Sequence, residues 1–244
     1  MDRAQYEAMI HAESGHWWFR GRRKVISRLL ADMKLRPDAS LLEIGCGGGG
    51  NLPMLSSFSR KLRAVEPNPV LREHAAGRGL CEVREGLLPD PIPYEGEKFD
   101  LICMFDVLEH VKEDTEAVQA LGKRLTENGR MLVTVPANPS LWSSHDVENG
   151  HFRRYTKKSL RSLFKNTGFT VERISFFNFF LFPPIWFCRK LGGAGSARKE
   201  GKPDLETPSF GLSGVFFSLM SLEARLLSFF NLPFGVSLVC VVRR

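Results

Sequence analysis

The chain is predicted to be an α/β protein built on a largely parallel sheet, and three observations carry that expectation. A strand-like run, Leu41 to Ile44, enters the glycine-rich turn Gly45-Cys46-Gly47-Gly48-Gly49-Gly50 and leaves it at Asn51 toward a helix-compatible segment. A second short strand, 61–66, stops at Glu66 and is closed by Pro67 and Pro69, which cannot extend a ladder. The nearly continuous apolar run Phe99 to Phe105 has the composition of a strand buried on both faces.

Length and composition set the bounds. With 244 residues and 43% apolar side chains the chain can form one large α/β domain with an ample core. Its five cysteines make no C-x-x-C pair and sit mostly in apolar stretches, as small core residues in a reducing compartment do. The first residues are charged and lack an apolar stretch, so no secretory signal is read and a cytoplasmic location is expected. The net charge of +7 is gathered in clusters at 20–24, 153–161 and 189–202. Such clusters suit a phosphorylated substrate or an anionic membrane face, or are simply solvated surface. Nucleic acid is not expected, because no aromatic and basic stacking platform is evident outside residues 177–233.

Taken in order, residues 2–33 carry helical periodicity broken at Glu13-Ser14-Gly15, with an aromatic and arginine cluster from His16 to Arg23. Trp17 and Trp18 cannot both face one core, so the cluster either covers a pocket or pins the helix to the sheet. A turn at Pro37-Asp38 precedes the first strand, 40–44, and a helix is expected over 51–58. After the second strand come a helix over 69–77 and a strand over 81–84. Pro89, Pro91 and Pro93 stiffen the loop that follows. The buried strand 99–105 ends at Asp106-Val107-Leu108-Glu109-His110-Val111. Ligands of open α/β sheets sit beyond the carboxyl ends of strands, which directs Phe105, Asp106 and His110 toward a site. His110 is either such a group or a helix-start residue bonded to backbone. A helix over 112–125, a turn at Asn128-Gly129 and a strand over 130–135 follow. The loop from Leu141 to Tyr155 gathers His145, Asp146, His151, Arg153, Arg154 and Tyr155 at the mouth of the expected crevice. Arg153 and Arg154 favour an acidic or phosphorylated acceptor. His145 and His151 lack the i, i+4 spacing of a zinc helix, so no metal is predicted. A helix capped by Thr156 runs to Asn166, and a sixth strand spans 169–176.

The turn admits two cofactor readings. Gly45, Gly47 and Gly50 fit the G-x-G-x-x-G of dinucleotide binders, with Glu66 following 21 positions after Gly45. Glu43 converts the pattern to E-x-G-x-G-x-G, and a carboxylate at that strand end suits a cationic amino group better than a pyrophosphate. With Glu66 and the Val107-Leu108-Glu109-His110-Val111 segment, this resembles the class I S-adenosylmethionine-dependent methyltransferases of the type 11/23 bacterial kind, over residues 15–176 and the last strand. The resemblance implies a Rossmann-like seven-stranded sheet with the last strand antiparallel and helices on both faces. It divides the chain into N-terminal lid helices (1–36), a core (37–176), a helical apolar insertion between strands 6 and 7 (177–233) and the final strand (234–244).

The same resemblance implies S-adenosyl-L-methionine as cofactor, held by Glu43, Gly45, Cys46, Gly47 and Gly49 of the turn and by Glu66 and Pro67 at the ribose. It adds the backbone of Leu87 or Leu88 at the adenine, Phe105, Asp106 and Val107 at the fourth strand, and Trp18 and Arg22 from the lid. The reaction implied is methyl transfer to a small or lipid-linked acceptor, with His110, His145 or His151 as base where the acceptor is an oxygen. A nicotinamide-dependent oxidoreductase and a non-catalytic docking module are the alternatives. The insertion has aromatic residues 176–188, a basic linker 192–203 and a second apolar piece 210–230, neither piece long enough to span a bilayer. It is read as a membrane-surface contact, a groove for a lipid tail, a homodimer interface or a cap over the core.

Overall fold

A computed structural model of the chain describes residues 3–191 and 212–244. Seven strands form one sheet: β1 (Ser40–Ile44), β2 (Lys61–Val65), β3 (Glu82–Arg84), β4 (Phe99–Phe105), β5 (Leu125–Pro136), β6 (Thr170–Phe177) and β7 (Ser237–Arg243). Their order is β3-β2-β1-β4-β5-β7-β6. β1 pairs in parallel with β2 and β4, and β7 is antiparallel to both β5 and β6, so the last strand alone is reversed. The order changes direction between β1 and β4, and there the crevice opens beyond their carboxyl ends, at Gly45 and Asp106.

The helices are α1 (Arg3–Gly15), α2 (Trp17–Met33), α3 (Leu52–Ser56), α4 (Pro69–Gly77), α5 (Asp114–Gly122), α6 (Ser144–Glu148), α7 (Lys157–Asn166), α8 (Phe182–Leu191) and α9 (Leu212–Leu226). Local chemistry fixes their starts. The His16 ring accepts from Trp18 N at 3.3 Å, so the break between α1 and α2 is a cap. Asn68 accepts from Val70 N and Leu71 N at 3.0 and 3.1 Å, with Pro69 supplying a helix-compatible φ. Thr156 accepts from Ser159 N at 3.0 Å.

Several expected boundaries move. β5 begins at Leu125 and runs through the expected Asn128-Gly129 turn, its register against β4 shifting between Phe99 and Leu101. A Cβ at Gly129 would lie 2.9 Å from Leu125 Cβ and 3.0 Å from the Phe99 carbonyl, so glycine serves close packing there instead of chain reversal. The 141–155 loop contains α6, and the last strand starts three residues later than the expected 234. The basic linker 192–203 lies outside the described residues.

The insertion packs on the lid. α9 buries Met220, Glu223 and Ala224, and its main neighbour is α2, which buries Val25, Ile26, Leu29 and Leu30 beneath it. Trp17 meets the Phe216 ring edge-on at 5.0 Å and the Arg20 guanidinium sits 4.4 Å from the Phe217 ring centre. Of the readings for 177–233, a cap is what α9 forms, whereas Trp186 and Phe187 of α8 are exposed. Among the described residues no helix is long and apolar enough to cross a membrane.

The α2–α9 crossing depends on Gly21, because a Cβ there would come within 2.8 Å of Met220 Cβ, an atom that cannot swing aside. Gly21→Ala is expected to destabilise the chain by about 1–3 kcal/mol through overpacking, less any gain in helix propensity. Urea unfolding of the two proteins measures it, and equal midpoints would contradict the tight crossing.

Candidate active site

The turn after β1 is held by left-handed glycines, with φ of +68° at Gly45, +58° at Gly47 and +78° at Gly49. Gly45 N and Cys46 N donate to Val65 O at 2.8 and 3.1 Å, which ties the turn to the end of β2. Glu66, 5% exposed, reaches across from that end: Gly47 N donates to Oε2 at 2.8 Å and Asn68 N to Oε1 at 3.0 Å. Burial raises its pKa against the pull of those two donors. Cys46 is buried with its thiol pKa pushed far up, and Val107 is the wall that a Cβ at Gly45 would strike, 2.7 Å from Cγ2.

Glu43 differs from its expected role. The carboxylate is fully buried and accepts from Asn51 Nδ2 at 2.8 Å, while Oε2 has no partner. It braces the turn from beneath, two residues before Gly45, through its hydrogen bond with Asn51. Desolvation raises its pKa to about 8, with Asn51 and Arg22 opposing the shift and Glu13 and Glu66 adding to it.

At the end of β4, Asp106 takes a left-handed φ of +58°. Its Oδ1 accepts from Thr134 Oγ1 at 3.0 Å and its Oδ2 pairs with Arg22 Nη1. Arg22 is 6% exposed, its Nε has no partner, and its guanidinium lies 5.2 Å from the Phe19 ring centre. Arg22 and Asp106, expected separately as cofactor contacts, here form an ion pair with each other. Phe105 is buried at the strand end.

Two expected contacts are replaced. Trp18 stacks on Phe177 at 5.9 Å, which is the packing alternative for the aromatic cluster. Leu87 N donates to Pro91 O at 2.9 Å as the proline-rich loop folds back, so this N–H is not available to an adenine. Leu87 itself is exposed and Leu88 is buried. Pro67 is exposed, its carbonyl accepting from Arg72 Nη1 at 2.8 Å.

A second cluster lies beside the end of β4. His151 Nδ1 is 2.9 Å from Asp146 Oδ1, and the His151 and His110 rings meet edge-on at 4.7 Å. Asp146 is fully buried and also accepts from Arg154 Nε at 2.7 Å and Ser143 N at 2.9 Å. Burial alone would raise its pKa, but the His151 and Arg154 hydrogen bonds prevail and hold it well below the usual carboxylate range. The pKa of His110 is lowered, first by its packing and then by His151. His145 is not part of this pair, its ring facing the Asn149 amide at 3.1 Å.

Arg153 and Arg154, expected to read an acidic acceptor, are neutralised internally. Arg154 serves Asp146, and Arg153 pairs with Asp114 at 2.5 Å. Tyr155 donates to the same Asp114 at 2.9 Å. Glu109, 1% exposed, has an unpartnered Oε2, and burial followed by Asp106 raises its pKa. Glu109, His110 and His151 offer ligand atoms within 4.8 Å of one another, a grouping that linear spacing did not suggest. Asn51, Thr134 and Glu13, whose carboxylate accepts from Gly48 N and Gly50 N at 3.0 Å each, also escaped the sequence reading. Asn51 alone had a signal, its place closing the glycine run.

Comparisons agree with this geometry. The family of methyltransferase domains matches residues 15–174. A probable S-adenosylmethionine-dependent methyltransferase of Mycolicibacterium smegmatis is 26% identical over 160 residues, covering 64% of this chain and 61% of that one. A ubiquinone biosynthesis O-methyltransferase of Roseobacter denitrificans is 28% identical over 171 residues, covering 63% and 67%. The chain thus spans about three fifths of the length of the first curated relatives it matches. Among solved structures, a putative methyltransferase of Haloferax volcanii, determined in complex with its Trm112 activator, superposes with a TM-score of 0.63 at 13% identity, over 99% of this chain and 94% of that one. The [4+2]-cyclase SpnF superposes at 0.58 with 15% identity, over 91% and 81%, so the fold alone does not specify a reaction.

The Glu43 carboxyl makes stability pH-dependent. Its folded pKa, about 8, lies above the ordinary 4.5, so its contribution is complete below pH 4.5 and is lost as pH rises toward 8. Glu13 and Glu66 shift in the same direction. Denaturation between pH 5 and 8 is expected to show falling stability, and Glu43→Gln to flatten the fall by about 1 kcal/mol per pH unit. Parallel profiles for the two proteins would contradict the assignment.

Proposed function

The chain belongs to the methyltransferase-domain family, and on that footing we propose that it is an S-adenosyl-L-methionine-dependent methyltransferase acting on an oxygen of a small or lipid-linked acceptor. One observation carries the cofactor reading. Arg22, buried on α2, and Asp106, half-buried at the end of β4, pair with each other where an amino-acid head group could engage both. An ammonium suits Asp106 and a carboxylate suits Arg22. The residues fit the rest of that cofactor as well. Glu66 can accept ribose hydroxyls, and a positive ligand would favour ionisation of Glu43 below the turn, whose Oε2 has no partner. A dinucleotide would bring a pyrophosphate to the same carboxylates, which disfavours the nicotinamide alternative.

When bound, S-adenosylmethionine supplies a methyl group already activated by a sulfonium. The protein's part is to orient the acceptor, exclude water and accept a proton. The Asp146–His151 pair suits the last task. With Nδ1–H donating to Asp146, the His151 Nε2 atom is left as the proton acceptor. Asp146, kept ionised by Arg154, then stabilises the imidazolium. This is the observation that favours an oxygen acceptor, which must lose its proton on attack. The exposed Trp186 and Phe187 of α8 suit an apolar acceptor tail, and the Roseobacter denitrificans relative is named for ubiquinone biosynthesis.

Isothermal titration with S-adenosylhomocysteine and methyl-transfer assays test these roles separately. Glu66→Ala is expected to weaken binding of the nucleoside by about ten- to a hundred-fold through loss of charge-assisted hydrogen bonds. Unchanged affinity removes the ribose assignment. His151→Ala is expected to lower turnover about 10²–10⁴-fold with S-adenosylhomocysteine affinity retained. Equal turnover would exclude it as the base. Activity is expected to persist in excess chelator, and its loss would shift the role of Glu109, His110 and His151 from proton transfer to holding a cation.

A further inference from the structure

α1 contributes to the crevice a buried side chain that the chemistry above does not use. Glu13 is 6% exposed, and its two oxygens accept separately, Oε1 from Gly48 N and Oε2 from Gly50 N, each at 3.0 Å. The same carboxylate fills the space in front of the bare backbone. A Cβ built on Gly47 would collide with Oε1, and one built on Gly50 would lie 2.9 Å from Oε2. The close approach that these glycines permit is thus taken by the chain's own side chain. Glu13 is also near enough to Glu43 and Glu66 to oppose the ionisation of both.

Apolar burial contributes little to holding α1 in place. From residue 6 to 15 only Ala12 and Glu13 are buried, whereas α2 is anchored by Val25, Ile26, Leu29 and Leu30, each at most 2% exposed. An apolar side chain of that size is worth about 1.5–3 kcal/mol when buried, and residues 6–15 of α1 have none. Ile10, half-buried, borders Gly48. At the junction, Arg23 Nη1 donates to Glu13 O at 2.6 Å and Nη2 to Ser14 O at 3.4 Å, which binds the end of α1 to α2 through backbone carbonyls. Release of the Glu13 carboxylate does not require those bonds to break.

We propose that α1 is a latch: Glu13 competes with the cofactor for the face of Gly47, Gly48 and Gly50, and its carboxylate must withdraw before the cofactor can seat. This rests on the cofactor reading given above. The apparent affinity of a latched protein is the intrinsic affinity multiplied by the unlatched fraction, so a latch closed in nine molecules of ten weakens binding about ten-fold.

Titration calorimetry of the full chain with S-adenosylhomocysteine tests this, comparing the unaltered protein with Glu13→Ala and Glu13→Gln. Glu13→Ala is expected to bind about ten-fold more tightly, with Glu13→Gln between, since its amide oxygen can still accept one N–H. Equal or weaker binding by Glu13→Ala overturns the latch while leaving the cofactor reading intact. Failure of all three proteins to bind removes both, whereas binding by Glu13→Ala alone supports the latch. Amide hydrogen exchange on the unaltered chain needs no variant to fold: faster exchange across α1 with S-adenosylhomocysteine present supports withdrawal, and unchanged or slower exchange overturns it.

Discussion

Every main-chain N–H from Gly45 to Gly50 has an acceptor, and that requirement shapes the crevice. Gly45 and Cys46 donate to Val65 O, Gly49 donates to Cys46 O, and the other three donate to the carboxylates of Glu66 and Glu13. A turn of glycines buried at a strand end offers more donors than its own backbone can absorb, and buried donors left unpaired are costly. Carboxylates meet the demand, and burial raises the pKa of both. The neighbourhood is consequently rich in acid, with Glu43 beneath and Asp106 alongside, and Arg22 and Arg78 are the cations set against Glu13. Such a place favours a ligand that brings positive charge.

The loop after β5 solves a different problem with the same kind of chemistry. Its backbone is tied to the strand end by Asn138 N to Tyr155 O and by Tyr155 N to Pro136 O, at 3.0 and 2.9 Å. Arg154, 8% exposed, spans the interior from Asp146 to the Ala137 carbonyl, and Arg153 with Tyr155 encloses Asp114. These cations hold the loop, Arg154 from the interior and Arg153 from a half-buried position. In doing so they fix His151 against Asp146 and across from His110, so a structural network sets the placement of both rings.

Elements whose signal is local were legible in the sequence. The apolar run 99–105, the proline-closed strand ending at Glu66 and the glycine turn each carry their cause within a few residues, and the sheet places them side by side. Pairings across long separations were not legible. Glu13 meets Gly48 35 positions away, and Arg22 meets Asp106 84 positions away. Arg154 read as a contact for an acidic acceptor because nothing in its neighbours reveals that Asp146 lies buried beside it. Leu87 failed for a related reason: the loop's own carbonyl, at Pro91, claims the N–H assigned to a ligand. The break at Glu13-Ser14-Gly15 was visible, but helical periodicity says nothing about where a polar residue beside a break will point.

The insertion between β6 and β7 bears on the site through this same N-terminal segment. α9 lies on α2, with Met220 against Gly21, one residue from Arg22. Trp17, Trp18 and Arg20 are likewise held by Phe216, Phe177 and Phe217. The helix that carries Arg22 to Asp106 is therefore fixed from outside, which keeps that pair in register with the end of β4. α1, lacking comparable apolar anchors, is left as the part of the N-terminal segment that can move at small cost. One segment is thus divided into a half fixed by apolar packing that carries Arg22 to Asp106 and a half with few buried apolar side chains that occupies the glycine turn. The division falls at His16, whose ring caps the start of α2.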